Sequence, residues 1–185
     1  GMDAAQLGDY TCLVWCEQYG TAATNLQVSW QIRHKTSDAV VGRGRIRDSG
    51  GVVKEPRVVA FGGQFRIFAI GVGGAASIGY KFIDPASTQN VTESLTAFST
   101  PFTGPWAFFD VALSPSHYCI SAAGTGALVE HRTWTQAAPD TLLGSYAPVV
   151  LAAPRCISNT YVDTGGSGVN QAFVAFYTFT GTETT

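Results

Sequence analysis

The chain contains few charged residues, one methionine, and no excess of lysine and arginine over aspartate and glutamate. Charged residues make up 13% of its 185 residues, against roughly a quarter in ordinary soluble domains. Apolar residues make up 45%, so the low charge predicts a packed core and not disorder. The formal net charge is −2, which leaves no surplus of cations to neutralise phosphates and argues against nucleic acid as a partner.

Helical and membrane-spanning patterns are also missing. No stretch of the sequence carries the 3.6-residue spacing of an amphipathic helix over a useful length. No apolar run approaches the roughly 20 residues of a membrane helix, and no signal-like stretch is seen. We therefore expect few helices, no membrane insertion and assembly in a cytoplasm.

Four cysteines are present, at positions 12, 16, 119 and 156. On a strand, Cys12 and Cys16 would lie about 13 Å apart, beyond the roughly 7 Å that a disulfide allows. Their spacing does not match a zinc knuckle either. The sequence predicts four reduced thiols that act as small core residues.

The sequence contains four copies of a strand–turn–strand pattern. The first strands of the copies are DYTCLVWCEQ, GQFRIFAIGV, SHYCISAAGT and APRCISNTYV. Each carries an aliphatic residue, at Leu13, Ile67, Ile120 and Ile157. Each second strand carries an aromatic residue at about the same place, namely Trp30, Tyr80, Trp134 and Phe176.

Further strands flank these hairpins. The apolar runs RVVAF, FFDVAL and APVVLA precede three of the copies. Weaker alternating segments follow three of them, namely AVVGRGRIR, NVTESLTAF and TLLGSY. The chain is expected to open on the second strand of one unit and to close on the third strand of another.

Three or four antiparallel strands that repeat about every 40 to 50 residues are typical of a β-propeller blade. We predict a single all-β domain over residues 1–185, an antiparallel β-propeller-like repeat of about four blade units. A β-sandwich is the alternative. Whether the chain is complete or a fragment of a larger protein stays open. The predicted core contains Val59, Ile67, Phe68, Ile120, Val150 and Ile157.

Catalytic and metal-binding patterns are weak. No G-x-S-x-G motif occurs. Asp110, within FFDVAL, is the carboxylate expected to be partly buried, and it would pair with His117 or His131 in a hydrolase. Such an aspartate more often accepts backbone N–H groups. The loop DTGGSGVN lacks the carboxylates of a calcium loop, so we expect no metal, no cofactor and no catalytic residue.

Two features suggest binding. The segment GRGRIR places Arg43, Arg45 and Arg47 on one face of a strand. This face is either a contact surface for acidic glycan or phosphate or the solvated side of an edge strand.

The turns EQYGTAATN and DTGGSGVN offer side chains that hydrogen-bond sugar hydroxyls, and an aromatic ring that stacks on a sugar. These candidate binding residues are Tyr19, Asn25, Asp163 and Asn170. Tryptophans in strands either stack on sugars or pack in the core.

Several segments of the sequence resemble repeat regions of large tail-associated proteins of tailed bacteriophages. These segments are LVWCEQ, SWQIRHKTSDAVV and PRVVAFGGQFRIFAI, with YKFIDPASTQNV as a second copy. The resemblance implies a structural or host-contact role in the virion, with other virion proteins or self-association as partners. The S-x-D-x-G-x-T-W box of sialidase-like propellers is missing. We expect a non-enzymatic module, with a carbohydrate-binding lectin that contacts cell-surface glycan as one alternative and a glycoside or ester hydrolase as another.

Overall fold

The computed structural model describes residues 1–22, 25–48, 52–73, 75–86, 90–125, 128–136, 141–147, 154–163 and 171–179. In these ranges the backbone forms fifteen β-strands and no helix. The strands are β1 (Met2–Leu7), β2 (Tyr10–Gln18), β3 (Leu26–His34), β4 (Val40–Ile46), β5 (Val53–Phe61), β6 (Gln64–Gly73), β7 (Ala75–Ile83), β8 (Asn90–Glu93), β9 (Thr96–Thr103), β10 (Trp106–Leu113), β11 (His117–Gly124), β12 (Val129–Thr135), β13 (Leu142–Tyr146), β14 (Pro154–Asp163) and β15 (Gln171–Phe179). None of the described residues belongs to a helix that could cross a membrane.

The strands form four sheets, each built around one of the predicted hairpins. Sheet A has the order β1-β2-β3-β4-β8, sheet B β5-β6-β7-β9, sheet C β10-β11-β12-β13 and sheet D β14-β15. Neighbouring strands are antiparallel except for β4 and β8, which run parallel. The predicted all-β fold, with about four antiparallel blade-like units, is confirmed.

The beginning of the chain differs from the sequence prediction. The first unit opens with β1, which pairs with β2 from Met2 opposite Trp15 to Leu7 opposite Tyr10. The chain therefore does not open on the second strand of a unit. β1 escaped notice because MDAAQL contains none of the β-branched and aromatic residues that favour strands.

The segment NVTESLTAF forms two strands instead of one. β8 pairs with β4 in sheet A, whereas β9 pairs with β7 in sheet B. Leu95 lies between them, and a Cβ added to Gly79 would come within 3.0 Å of the Leu95 Cβ. Because β8 pairs with β4 and forms the edge of sheet A in its place, the interpretation of GRGRIR as an edge strand is wrong.

The chain divides into two compact units, residues 1–104 and 105–185. In the first unit, the core lies where β5 packs against β1 and β2. Its buried members come from both sheets and include Cys12, Val14, Val28, Trp30, Ile32, Ile46, Phe65 and Ile67. In the second unit, the rings of Tyr118 and Trp134 stack at 5.3 Å between centroids, and both are fully buried.

Most of the predicted core is confirmed. Ile67, Phe68, Ile120 and Ile157 are buried. Val59 is only half-buried, because it lies on an outer strand where side chains alternate between faces and Val58 points to the core instead. Val150 lies outside the described residues.

All four cysteines are free, but they do not all lie in the core. Cys12 and Cys119 are buried, Cys16 is half-buried and Cys156 is exposed. Burial raises the pKa of the Cys12 thiol to about 12, with a smaller contribution from the negative charge of Asp3. The prediction of a core role is therefore wrong for Cys156.

Candidate functional site

An open groove of about 280 Å³ lies on the outer face of sheet A. It exists because alternate side chains of β2, β3 and β4 point away from the core. We call it the arginine groove. Its lining residues are Trp15, Glu17, Ser29, Trp30, Gln31, Arg43, Gly44 and Arg45.

The strand register brings the polar groups of the groove into rows. Trp15 lies opposite Ser29, and Ser29 lies opposite Arg45. One row further along, Gln31 lies opposite Arg43. Since neighbouring strands lie about 4.8 Å apart, an aromatic ring on β2 and two guanidinium groups on β4 flank a narrow polar floor on β3.

Glu17 is the centre of the hydrogen-bond network in the groove. Its Oε1 accepts from Ser29 Oγ at 2.6 Å and from Gln27 Nε2. Its Oε2 accepts from Trp15 Nε1 at 3.0 Å. The hydrogen bond from Ser29 is the main cause that lowers the pKa of Glu17, and those from Trp15 and Gln27 add to it. The carboxylate therefore stays ionised and fixes the orientation of the indole ring.

Arg43 and Arg45 on β4 and Arg47 just after it differ in what they contact. Arg47 donates to Gln27 Oε1, and its guanidinium lies 4.3 Å from the centre of the Tyr19 ring. Arg45 lies 3.9 Å from Glu17 Oε1 with about half of its side chain exposed. Arg43 is exposed and has no ion pair in the described part of the chain. Arg43 and Arg45 are thus the two guanidinium groups open to a ligand.

The residues predicted to bind fall in different units of the chain. Tyr19 and Asn25 are joined by a backbone hydrogen bond of 3.0 Å from Tyr19 N to Asn25 O, and the Tyr19 ring contacts Arg47. Asp163 ends β14 in the second unit. Asn170 lies outside the described residues. The prediction from the sequence did not include Glu17, although its alternation with Trp15 on one strand indicated that the two side chains share a face.

The second unit contains a cross-strand row of polar residues. Asp110, Ser121 and His131 are successive partners on β10, β11 and β12. Ser121 Oγ lies 2.7 Å from His131 Nδ1, and burial lowers the pKa of His131. Asp110 Oδ2 accepts from the backbone N–H of Asn159 at 2.8 Å.

This row does not have the order of a Ser–His–Asp triad. In a triad the histidine lies between the serine and the carboxylate, whereas here Ser121 lies in the middle and is fully buried. His117 pairs with Thr135 at the other end of the same strands. Asp110 therefore acts here as an acceptor for the backbone of Asn159.

A cavity of about 500 Å³ adjoins this row. Its described lining residues are Cys119, Ser121, His131, Thr133, Tyr146, Asn159, Phe173, Val174 and Ala175. The rings of His131 and Tyr146 are nearly parallel, with centroids 6.2 Å apart. In neither cavity, nor elsewhere in the described ranges, do three or more His, Cys, Asp or Glu side chains cluster as metal ligands do.

No protein-family model and no curated protein matches the chain. Among solved structures, it is similar to the catalytic domain of a GH62 alpha-L-arabinofuranosidase from Coprinopsis cinerea, with a TM-score of 0.45 and 9% sequence identity. The match covers 78% of this chain and 49% of that domain, so the chain spans about half the length of that domain. A likeness of this size assigns neither a family nor an activity.

Proposed function

We propose that the chain is a non-enzymatic host-contact module that binds acidic, carboxylate-bearing glycan through the arginine groove. The observation that carries the proposal is the position of Arg43 and Arg45, exposed on one strand face across from the ring of Trp15. Guanidinium groups bind carboxylates through paired hydrogen bonds. Indole rings stack on the apolar face of a sugar.

The geometry of the groove favours a rigid recognition surface. Glu17 holds the Trp15 indole by its N–H, so little side-chain freedom is lost when a ring stacks against it. Arg43 and Arg45 are two residues apart on an extended strand, which places them about 7 Å apart. The floor residue Gln31 offers an amide for sugar hydroxyls.

A phage particle is the proposed setting. The strand repeat that resembles tail-associated proteins supports a place in a virion assembled in the host cytoplasm, with other virion proteins or further copies of this chain as partners. A shallow surface groove of this kind binds weakly by itself. Repetition in an assembly would raise avidity without any new contact.

The direct test measures binding of the purified chain to polygalacturonate and to a neutral glucan of similar length, by titration calorimetry at two salt concentrations. We expect binding to polygalacturonate that weakens as salt rises. The double change Arg43→Gln and Arg45→Gln should weaken it at least about tenfold, which corresponds to about 1.4 kcal/mol.

Two controls sharpen this test. Lys35→Gln removes one positive charge from the exposed turn after β3 and should leave binding unchanged. Trp15→Ala should weaken binding, and Trp15→Phe should restore part of it. Equal affinity of the double arginine variant, or equal binding of both polysaccharides, would show the proposal to be wrong. Binding of inorganic phosphate in preference to the polyuronate would also contradict it.

A further inference from the structure

The cavity in the second unit has the size and lining of a small-molecule site. Its volume of about 500 Å³ lies within the range of about 300 to 1,000 Å³ that such sites occupy. Sheet C supplies one wall through Ser121, His131 and Thr133, and sheet D supplies the other through Asn159 and Phe173. None of its described lining residues belongs to the arginine groove, and the inference does not depend on the acidic-glycan proposal.

Asn159 forms a buried polar part of the cavity wall. The residue is only 8% exposed, and its Nδ2 donates to the backbone oxygen of Cys119 at 3.0 Å. Its Oδ1 has no hydrogen-bond partner among the described residues. Less than 1 Å² of this oxygen is accessible, so Asn159 shapes the wall of the cavity and does not offer this oxygen to a ligand.

The chemistry of the lining narrows the ligand class. None of the described lining residues is an aspartate, glutamate, lysine or arginine. Burial also lowers the pKa of His131, which favours its neutral form near pH 7. A charged ligand such as a nucleotide would find no counter-ion among the described lining residues, and a purely apolar ligand would not pair with the hydroxyl of Thr133.

An aromatic surface completes the site. Tyr146 is 68% exposed, and its ring lies nearly parallel to the imidazole of His131, at an interplanar angle of 15°. Phe173 lines the cavity from the side of sheet D. A ligand that suits these walls carries several hydroxyl groups together with a flat apolar face.

We propose that this cavity binds a single neutral sugar residue, with the sugar ring stacking on Tyr146. Thr133 supplies a hydroxyl to the sugar. The two sites differ in charge, because the arginine groove offers guanidinium groups to carboxylates whereas the described lining of this cavity includes none.

The test uses the methyl glycosides of glucose, galactose, mannose and N-acetylglucosamine as probes, titrated into the whole chain and followed by NMR. We expect at least one glycoside to shift the side-chain amide signals of Asn159 and the imidazole signals of His131. Tyr146→Ala should weaken that glycoside at least about tenfold. Tyr146→Phe should retain most of the affinity, since the ring face remains.

Because Tyr146 is exposed, its removal should leave the urea-unfolding midpoint nearly unchanged, which separates loss of binding from loss of folding. A second variant, Thr133→Val, keeps the volume, removes one hydroxyl and should weaken binding severalfold. The double arginine variant of the groove should bind the glycoside normally. The proposal is overturned if no glycoside shifts these signals, or if Tyr146→Ala binds as tightly as the unaltered chain.

Discussion

The indole ring of Trp30 occupies the space that a side chain at position 44 would need. Gly44 lies directly opposite Trp30 in the β3–β4 pair, and a Cβ at Gly44 would come within 2.6 Å of Trp30 Cζ2 and 2.8 Å of Nε1. Trp30 is 1% exposed and belongs to the core of the first unit. The glycine on β4 thus lets the largest side chain of β3 lie flat against the sheet.

The first prediction follows from this contact. Gly44→Ala should destabilise the chain by about 1–3 kcal/mol, because an added methyl group forces the packed indole off its position. Urea unfolding followed by tryptophan fluorescence measures the change. Gly144→Ala on β13 is the matched control, since no atom of the described residues lies within 4 Å of a Cβ there and the change should stay within about 0.5 kcal/mol. Similar costs at the two glycines would contradict the packing explanation.

A second prediction concerns two aspartates that join sheets in the same way. Asp3 on β1 accepts from the backbone N–H of Val58 at 2.9 Å, and Asp110 on β10 accepts from that of Asn159 at 2.8 Å. Each carboxylate links the first strand of one sheet to the next sheet of its unit. Hydrogen bonds to charged groups contribute about 1.5–3 kcal/mol, so Asp3→Ala and Asp110→Ala should each cost about that much.

Asparagine at either position keeps an acceptor oxygen without the charge, so Asp3→Asn and Asp110→Asn should cost less than the alanine changes. Asp9→Asn, at an exposed position, is the control and should have little effect. Urea midpoints of the five variants rank these costs. An alanine variant as stable as its asparagine counterpart would mean that the inter-sheet hydrogen bond contributes nothing.

The third prediction concerns the order in which the thiols react. Cys156 is exposed and Cys12 is buried with a pKa of about 12, and the thiolate is the reactive form. In native protein at pH 8, a maleimide should modify Cys156 first and Cys16 more slowly, because burial raises the pKa of Cys16. Cys12 and Cys119 should react only after unfolding. Peptide mass mapping gives the order, and early modification of Cys12 would be evidence against this core.

The four hairpins were predictable because the inner strands are covered on both faces. The run IFAI on β6 is buried at every position, so its continuous apolar character is visible without any knowledge of its neighbours. The crossing from β8 to β9 was not predictable. It depends on Leu95 meeting the bare backbone of Gly79, a contact between distant positions that no local pattern encodes.

The candidate site was predictable only in part. Alternation along GRGRIR indicated that Arg43, Arg45 and Arg47 share a face, and the exposed positions of Arg43 and Arg45 agree. The partners of these arginines across the sheet depend on register. Trp15 lies across from Arg45 only because the β2–β3 turn sets Trp15 opposite Ser29, and a shift by one residue would send Trp15 to the other face.

The last prediction concerns the ionisation of Glu17, on which the shape of the arginine groove depends. Ser29, Trp15 and Gln27 donate hydrogen bonds to this carboxylate and lower its pKa from the ordinary value of 4.5. A lowered pKa in the folded state means that the ionised group stabilises the fold above the unfolded pKa. That contribution is lost as the pH falls through the folded pKa.

An NMR titration of the Glu17 carboxyl carbon should give a midpoint below 4.5, and the Trp15 indole N–H signal should shift with the same midpoint because the two groups are hydrogen-bonded. Ser29→Ala should raise the pKa of Glu17, since the hydrogen bond from Ser29 is its largest cause. Ser37→Ala, in the exposed turn between β3 and β4, should leave it unchanged. Two results would contradict this prediction: a Glu17 pKa at the ordinary value in the native chain, or a Trp15 indole N–H signal that does not shift as Glu17 titrates. Either result would mean that the carboxylate does not fix the indole and that the groove is not preorganised for a sugar ring.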